Sequence, residues 1–400
     1  MNNPLKKRGS ELESLLHSEH NIQIEKMAVG GSGVGRIEYK DKKIVVFVPY
    51  SAPEDILKVK ISRAEKNFLI GEIVEITEQS PVRRKAPCEY FGRCGGCLWQ
   101  HLTYEAQIEQ KELILKDLFK KFLPEAEFEL EPTISADEQL GYRNRIQLKQ
   151  LGNQLGYFEH ESHDIVDIDQ CLIAEAPINT ALKDYKKSLK SAEQLQKIEV
   201  KINQNDSVEI KKIGQKSEGV AFSQVNRFIN NRLIKAVSDI LKNQNTQKIL
   251  ELYAGSGNFT FPLAQLNLTE QITAVEWDSH LTKLAVEKIK TEKLHKKITL
   301  FTAKCENFCN SLNDNGFDLV FLDPPRAGCH SDVMDRVCSL LPDSILYIAC
   351  NPVSLVRDIK PLMKNYSIVH LQIFDMFPQT DHFETVCFLK KRDSSLTLSL

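Results

Sequence analysis

At 400 residues the chain is long enough for two or three domains rather than one. Its 42% hydrophobic and 26% charged content excludes a disordered or fibrous chain, and a net charge of −2 confines any nucleic-acid surface to local patches. No apolar run approaches ~18 residues, and no apolar stretch follows the basic start at Lys6, Lys7 and Arg8. Neither a membrane span nor a signal peptide is therefore expected, and the protein is expected in the cytoplasm.

Residues 1–20 read as a polar tail, with a short helix as the alternative. From Ile22 to Ile76 the chain carries short alternating runs, such as Ile44 to Val48 and Ile56 to Ile61. Turn residues separate them, notably Gly30, Gly31, Gly33 and Gly35. About five strands in so short a stretch predict a small barrel of the OB type. No strand–helix context follows the glycines, so they read as tight turns rather than a dinucleotide loop.

Ten cysteines in a chain expected in a reducing compartment ask for metal or catalysis. Cys88, Cys94 and Cys97 form a C-x5-C-x2-C run with Gly95 and Gly96 inside it. Soft thiolates select zinc or an iron–sulfur cluster. Cys171 is the best fourth ligand, with His101 as a rival that would favour zinc. On spacing alone the two metals stand about even.

Residues 104–123 predict one amphipathic helix, with Ile108, Leu115, Leu118, Phe119, Phe122 and Leu123 as its packing face. Residues 130–220 predict mixed strands and a charged helix from about Ala174 to Lys197. Three basic clusters are candidates for contacting phosphates. They are Arg83, Arg84 and Lys85; Arg143 and Arg145; and Lys211, Lys212 and Lys216.

From about Phe222, strands alternate with helices, as in a parallel sheet covered on both faces. The strand ending at Leu252 runs into Tyr253, Ala254, Gly255, Ser256, Gly257 and Asn258. The next strand ends in Glu276, which suits a ribose diol. Asp323, Pro324, Pro325, Arg326 and Gly328 close a further strand. Ile345 to Ala349 reads as a buried strand stopped by Pro352, so Cys350 sits at a carboxyl end, where such sheets place ligands. A cysteine there is usually plain core. A carboxylate partner is nevertheless available in the segment from Phe374 to Glu384, and a nucleophile needs one.

Together these motifs resemble the family of S-adenosylmethionine-dependent RNA uracil-5 methyltransferases, over nearly the whole chain. The resemblance is closest to its 23S rRNA members that carry a TRAM barrel and a [4Fe-4S] cluster. It rests on Asp323 to Gly328, then Tyr347 with Cys350 and Asn351, then Asp375, Phe377, Pro378, Gln379, Thr380, His382 and Glu384 in the family's order.

The implied fold is a Rossmann-like α/β catalytic domain at 221–400, a TRAM barrel at 21–78 and a central α+β iron–sulfur domain at 79–220. The implied roles are Cys350 as nucleophile and Glu384 as general base. Gln224, Tyr253, Asn258, Glu276 and Asp323 would bind the cofactor. Cys88, Cys94, Cys97 and Cys171 would hold the cluster. Phe222 would stack on a base or pack in the core.

The expected partner is RNA, 23S rRNA ahead of tRNA, with no membrane partner and a monomeric chain. A tRNA methyltransferase, or another iron–sulfur RNA-modifying enzyme, stays open as an alternative. Three departures from the family stand out. Ala349 replaces the usual serine before the nucleophile, and position 354 is serine rather than threonine. Lys304, where an acidic or amide residue is usual, cannot accept from an adenine amino group, so that contact is unassigned.

Overall fold

The computed structural model describes residues 11–203, 205–213, 224–242, 244–266, 269–313 and 316–392. Phe222, Lys216 and the first ten residues of the expected tail lie outside them.

The N-terminal strands are β1 (Glu19–Gln23), β2 (Lys26–Met27), β3 (Gly33–Tyr39), β4 (Lys42–Val48), β5 (Ile56–Ala64) and β6 (Phe68–Glu78). They form one sheet in the order β1-β5-β6-β4-β3-β2. Its two edge strands are consecutive in the chain, so one bent segment pairs with β5 at one end and β3 at the other. That closes the sheet into a barrel and removes both edges. A 3₁₀ turn at Glu11–Leu15 lodges Leu12 and Leu15 in the barrel core.

Helix α1 (Tyr104–Phe122) follows the cysteine run, and β7 (Leu130–Ile134) follows α1. Next come β8 (Arg145–Gly152), β9 (Gln154–Phe158), β10 (Ile165–Asp167), α2 (Ala176–Lys187), β11 (Ala192–Ile202) and β12 (Val208–Ile213). The second sheet runs β10-β9-β8-β11-β12, every pair antiparallel. The charged helix expected to reach Lys197 therefore ends at Lys187. Residues from Ala192 are drawn into a ladder between β8 and β12, and sheet pairing overrides local propensity.

The third sheet is built from α3 (Arg227–Lys242), β13 (Lys248–Leu252), α4 (Thr260–Gln265), β14 (Gln271–Glu276), α5 (Ser279–Thr291), β15 (Ile298–Thr302) and α6 (Cys305–Ser311). It continues with β16 (Leu319–Leu322), α7 (Ser331–Leu340), β17 (Ser344–Ala349), α8 (Pro352–Ile359), β18 (Tyr366–Phe374) and β19 (Glu384–Lys391). The order is β15-β14-β13-β16-β17-β19-β18-β7. The first five strands are parallel, and β19 runs antiparallel to β17.

Alternation along β17 divides the core. Ile345, Tyr347 and Ala349 pack on the face of α1, α6, α7 and α8. Leu346 and Ile348 pack on the face of α3, α4 and α5. Burial on both faces is what makes these strands read as continuous apolar runs. Strand β7 comes from the middle of the chain yet pairs with β18, covering an edge that would otherwise be open. Among the described residues no helix is long and apolar enough to cross a membrane.

Candidate active site

Chain order in the third sheet reverses between β13 and β16, which opens a crevice at the strands' carboxyl ends. Leu252 pairs with Val275 on one side and Leu322 on the other. One residue further on, Tyr253, Glu276 and Asp323 stand side by side at those strand ends.

Tyr253 has φ +64°, and Gly255 and Gly257 follow at +59° and +92°. A side chain at Gly257 would collide with the Phe261 ring, so only glycine lets the loop turn there. Glu276 is buried and holds the loop by accepting from Gly255 N at 2.9 Å and Asp278 N at 2.8 Å. Asn258 exchanges two 3.0 Å amide hydrogen bonds with Asn230 of α3. Gln224 is buried, and its main-chain carbonyl accepts from Asn144 Nδ2 at 3.2 Å. Lys304 caps α6 at the same sheet edge without a side-chain capping bond.

The β17–β19 ladder ends at the pair Ala349 and Thr385. The next position on each strand is Cys350 and Glu384, so the ladder brings thiol and carboxyl together. Residues directly opposite in such a pair have Cβ atoms about 4.5–5.5 Å apart. Burial, then the neighbouring Glu384 and Asp323, push the Cys350 thiol up to about 12, while the Arg326 cation pulls it down. Burial, with Asp323 adding, holds the Glu384 carboxyl well above the usual range, against Arg326. Burial alone pushes Asp323 up to about 7. Burial thus shifts all three groups towards their protonated forms, as in acid–base sites.

Sequence motifs singled out Arg326 and His382 without a role. Arg326 is the cation beside the thiol, and its carbonyl accepts from Asn351 Nδ2 at 2.9 Å. Its guanidinium stands 3.4 Å from His382 Nδ1. Glu251 was not found from sequence. It is buried in β13, Asp323 lies beside it, and burial pushes its carboxyl up to about 8. Its position in an apolar strand was the available signal.

The Asp323 shift has a consequence for stability. Folded, the group keeps its proton up to about pH 7; its ordinary value is 3.8. Its stabilisation is full below the ordinary value and is lost as pH rises towards 7, because unfolding then releases a proton. Asp323→Asn stays neutral throughout. Its melting temperature should exceed that of the parent by several degrees at pH 8, and by less at pH 5, in scanning calorimetry. Equal melting temperatures at pH 8 would contradict this.

Cys88, Cys94, Cys97 and Cys171 line one cavity of about 40 Å³, with Tyr157 and Arg143. Burial pushes the thiols of Cys94 and Cys97 up to about 11 and 12. His101 does not line this cavity. Its Nε2 lies 2.9 Å from the Ser51 carbonyl, and burial lowers the ring to about 4. Among the described residues no group of three or more His, Cys, Asp or Glu side chains is gathered about a single-ion position.

The expected phosphate-contacting clusters are largely used up internally. Arg83 makes a buried ion pair with Asp55 at 2.7 Å. Arg84 donates to Gln379 Oε1 at 2.8 Å. Arg143 lines the cysteine cavity, and Arg145 lies 3.9 Å from Glu199. Lys211 pairs with Glu209 at 2.7 Å. Sequence cannot separate an exposed cation from one that finds a carboxylate after folding.

Residues 14–74 match the TRAM domain model, and residues 196–392 match the model described as tRNA (Uracil-5-)-methyltransferase. A Bdellovibrio bacteriovorus protein described as an uncharacterized RNA methyltransferase is 39% identical over 385 residues, covering 94% of this chain and 96% of its own. An Aquifex aeolicus protein of the same description is 27% identical, covering 93% and 98%. The fold is similar to that of Pyrococcus abyssi tRNA (uracil-54, C5)-methyltransferase in complex with S-adenosyl-L-homocysteine. The TM-score is 0.71 at 23% identity, covering 92% of this chain and 100% of that one. With its barrel, its Rossmann-like sheet and relatives matched end to end, this chain belongs to the S-adenosylmethionine-dependent RNA uracil-5 methyltransferase family.

Proposed function

We propose that this protein methylates C5 of a uridine in 23S rRNA, with Cys350 as nucleophile and Glu384 as general base. The observation that carries this reading is the β17–β19 register, which sets thiol beside carboxyl with Asp323 and Arg326 at hand. Uracil C5 is too weak a nucleophile to attack a sulfonium methyl group. Addition of Cys350 Sγ to C6 pushes the ring's electron pair onto C5, which can then form the new C–C bond. Cys350 gives its proton to solvent before the addition, and Arg326 opposes the upward shift that burial, Glu384 and Asp323 impose on the thiol. Bound S-adenosylmethionine supplies an electrophilic methyl group and a positive charge in the same pocket. Glu384 then takes the C5 proton, the C5–C6 double bond reforms, and the Cys350 thiolate leaves.

Gln224, Tyr253, Asn258, Glu276 and Asp323 would hold the cofactor, with Glu276 taking the ribose hydroxyls. Glu276 is suited to this, because each of its oxygens accepts a single hydrogen bond from the loop and keeps a lone pair free. The target uridine would be flipped out of its stack to reach Cys350.

Cys88, Cys94, Cys97 and Cys171 would hold a [4Fe-4S] cluster. The cavity they line exceeds the roughly 10–15 Å³ that a cavity needs to admit one water, which leaves room for more than a lone ion. Arg143 Nε is buried there without a partner among the described residues, which suits an anionic guest. Cys171→Ser, purified without air, is expected to lose iron and solubility together. Full iron content in that variant would remove Cys171 from the ligand set.

The cysteine cavity, together with the barrel, favours the 23S rRNA type. A tRNA substrate is the second reading, supported by the description of the matched family model. Mapping 5-methyluridine in total RNA from cells with and without the protein tests both. A missing rRNA methyl group is expected; a missing tRNA methyl group establishes the second reading, and unchanged maps reject both.

A further inference from the structure

The amphipathic pattern of α1 assigns it a packing role, and Ile114, Leu115 and Phe119 are indeed buried. A second buried stripe on the same helix is polar. Tyr104, Gln107 and Lys111 lie at i, i+3 and i+7, on one helix face. All three reach the segment between β18 and β19. Lys111 Nζ donates to Asp375 Oδ1 at 2.6 Å and to the Phe377 carbonyl at 3.3 Å. Tyr104 OH donates to Asp375 Oδ2 at 2.7 Å. Gln107 Oε1 accepts from Gln379 N at 2.8 Å, and Gln107 Nε2 donates to Gln379 Oε1 at 3.1 Å.

That segment starts beside Glu384, because Phe374 and Glu384 are ladder partners. Both side chains of the Lys111–Asp375 pair are 0% exposed. A fully buried pair recovers its desolvation cost only with good geometry and further hydrogen bonds, and apolar residues of similar size often do as well. Stability is therefore a poor reason for keeping it. Gln379 adopts φ +71°, a left-handed conformation uncommon outside glycine. Gln107 and Arg84 hold it there, and its own Nε2 donates to the Gln139 carbonyl at 3.3 Å. Strain held in place from several sides, within the segment that leads into Glu384, is characteristic of functional sites.

We propose that Lys111, with Tyr104 and Gln107, is a positioning residue for removal of the C5 proton, fixing the 375–383 segment and so Glu384. This rests on the reading of Glu384 as the base. A base must come within about 3 Å of its proton, and a misplacement of about 1 Å costs on the order of 100-fold. Addition of Cys350 and methyl transfer do not use Glu384, so a fault in its placement should show chiefly at the release step.

The test is Lys111→Met, which keeps length and removes charge, incubated with S-adenosylmethionine and uridine-containing RNA. Glu384→Gln runs in parallel. We expect Lys111→Met to transfer methyl in the first turnover and then hold the RNA covalently on a denaturing gel. Release should slow on the order of 100-fold, with KM for S-adenosylmethionine unchanged. Release at the parent rate, or a lowered melting temperature with no covalent complex, overturns the proposal. A covalent complex in Glu384→Gln but not in Lys111→Met overturns the positioning role alone. Its absence from Glu384→Gln overturns the base assignment itself. Should Lys111→Met fail to fold, Tyr104→Phe removes one hydrogen bond to Asp375. It should then slow release by a smaller factor, and an unchanged rate there also overturns the proposal.

Discussion

Cys350→Ala is expected to abolish methyl transfer while leaving the fold and cofactor binding intact. The thiol sits at a strand end, and its loss removes a sulfur atom from a half-buried position rather than from the packed core. No neighbouring side chain can replace it. Glu384 and Asp323 are carboxyls, and Cys329 is buried with its Sγ 3.8 Å from Tyr347 OH. Without addition to C6, nothing raises electron density at C5, and the rate should fall to background. RNA carrying 5-fluorouridine sharpens the test, because fluorine cannot leave as a proton. The parent protein should be trapped on it covalently and Cys350→Ala should not. A parent that consumes S-adenosylmethionine yet forms no adduct would refute the covalent route.

Glu384→Gln is expected to stall the same reaction one step later. The amide is nearly isosteric and has no basic oxygen able to take the C5 proton, so methyl transfer proceeds and release fails. General-base removal typically costs about 10²–10⁴-fold, and here the whole loss should fall on breakdown of the adduct. Burial and Asp323 keep Glu384 protonated to unusually high pH, so the parent's release rate should rise with pH as that proton leaves. Arg326 opposes the shift, so Arg326→Met should move the rise to still higher pH. A release rate that does not rise with pH would argue against Glu384 as base.

Much of this site is legible in the sequence because motifs resembling the family's fall at the ends of apolar strands. Apolar runs buried on both faces locate β13, β14, β16 and β17, and the residues just past them line the crevice. Glycines at positive φ mark the cofactor loop for the same local reason. Helix α1 is less legible. Leu115 and Phe119 are buried as expected, but Phe122 is 37% exposed, while Gln107 and Lys111 are fully buried. Hydrophobic periodicity does not register a polar residue whose partner is another polar residue.

By itself the sequence determined the barrel, the sheet, the order of the motifs and the residue types able to do the chemistry. The barrel and the alternating strands follow from local periodicity, and the site residues from the motifs that resemble the family's. Only the tertiary structure decided which charges meet. Lys111 and Asp375 are 264 residues apart in the chain and 2.6 Å apart in space. It also decided that Arg143 turns towards the cysteine cavity and that β7 closes the edge of the catalytic sheet. Such pairings depend on long-range burial, where removing water makes one partner's charge or hydrogen bond compulsory for the other.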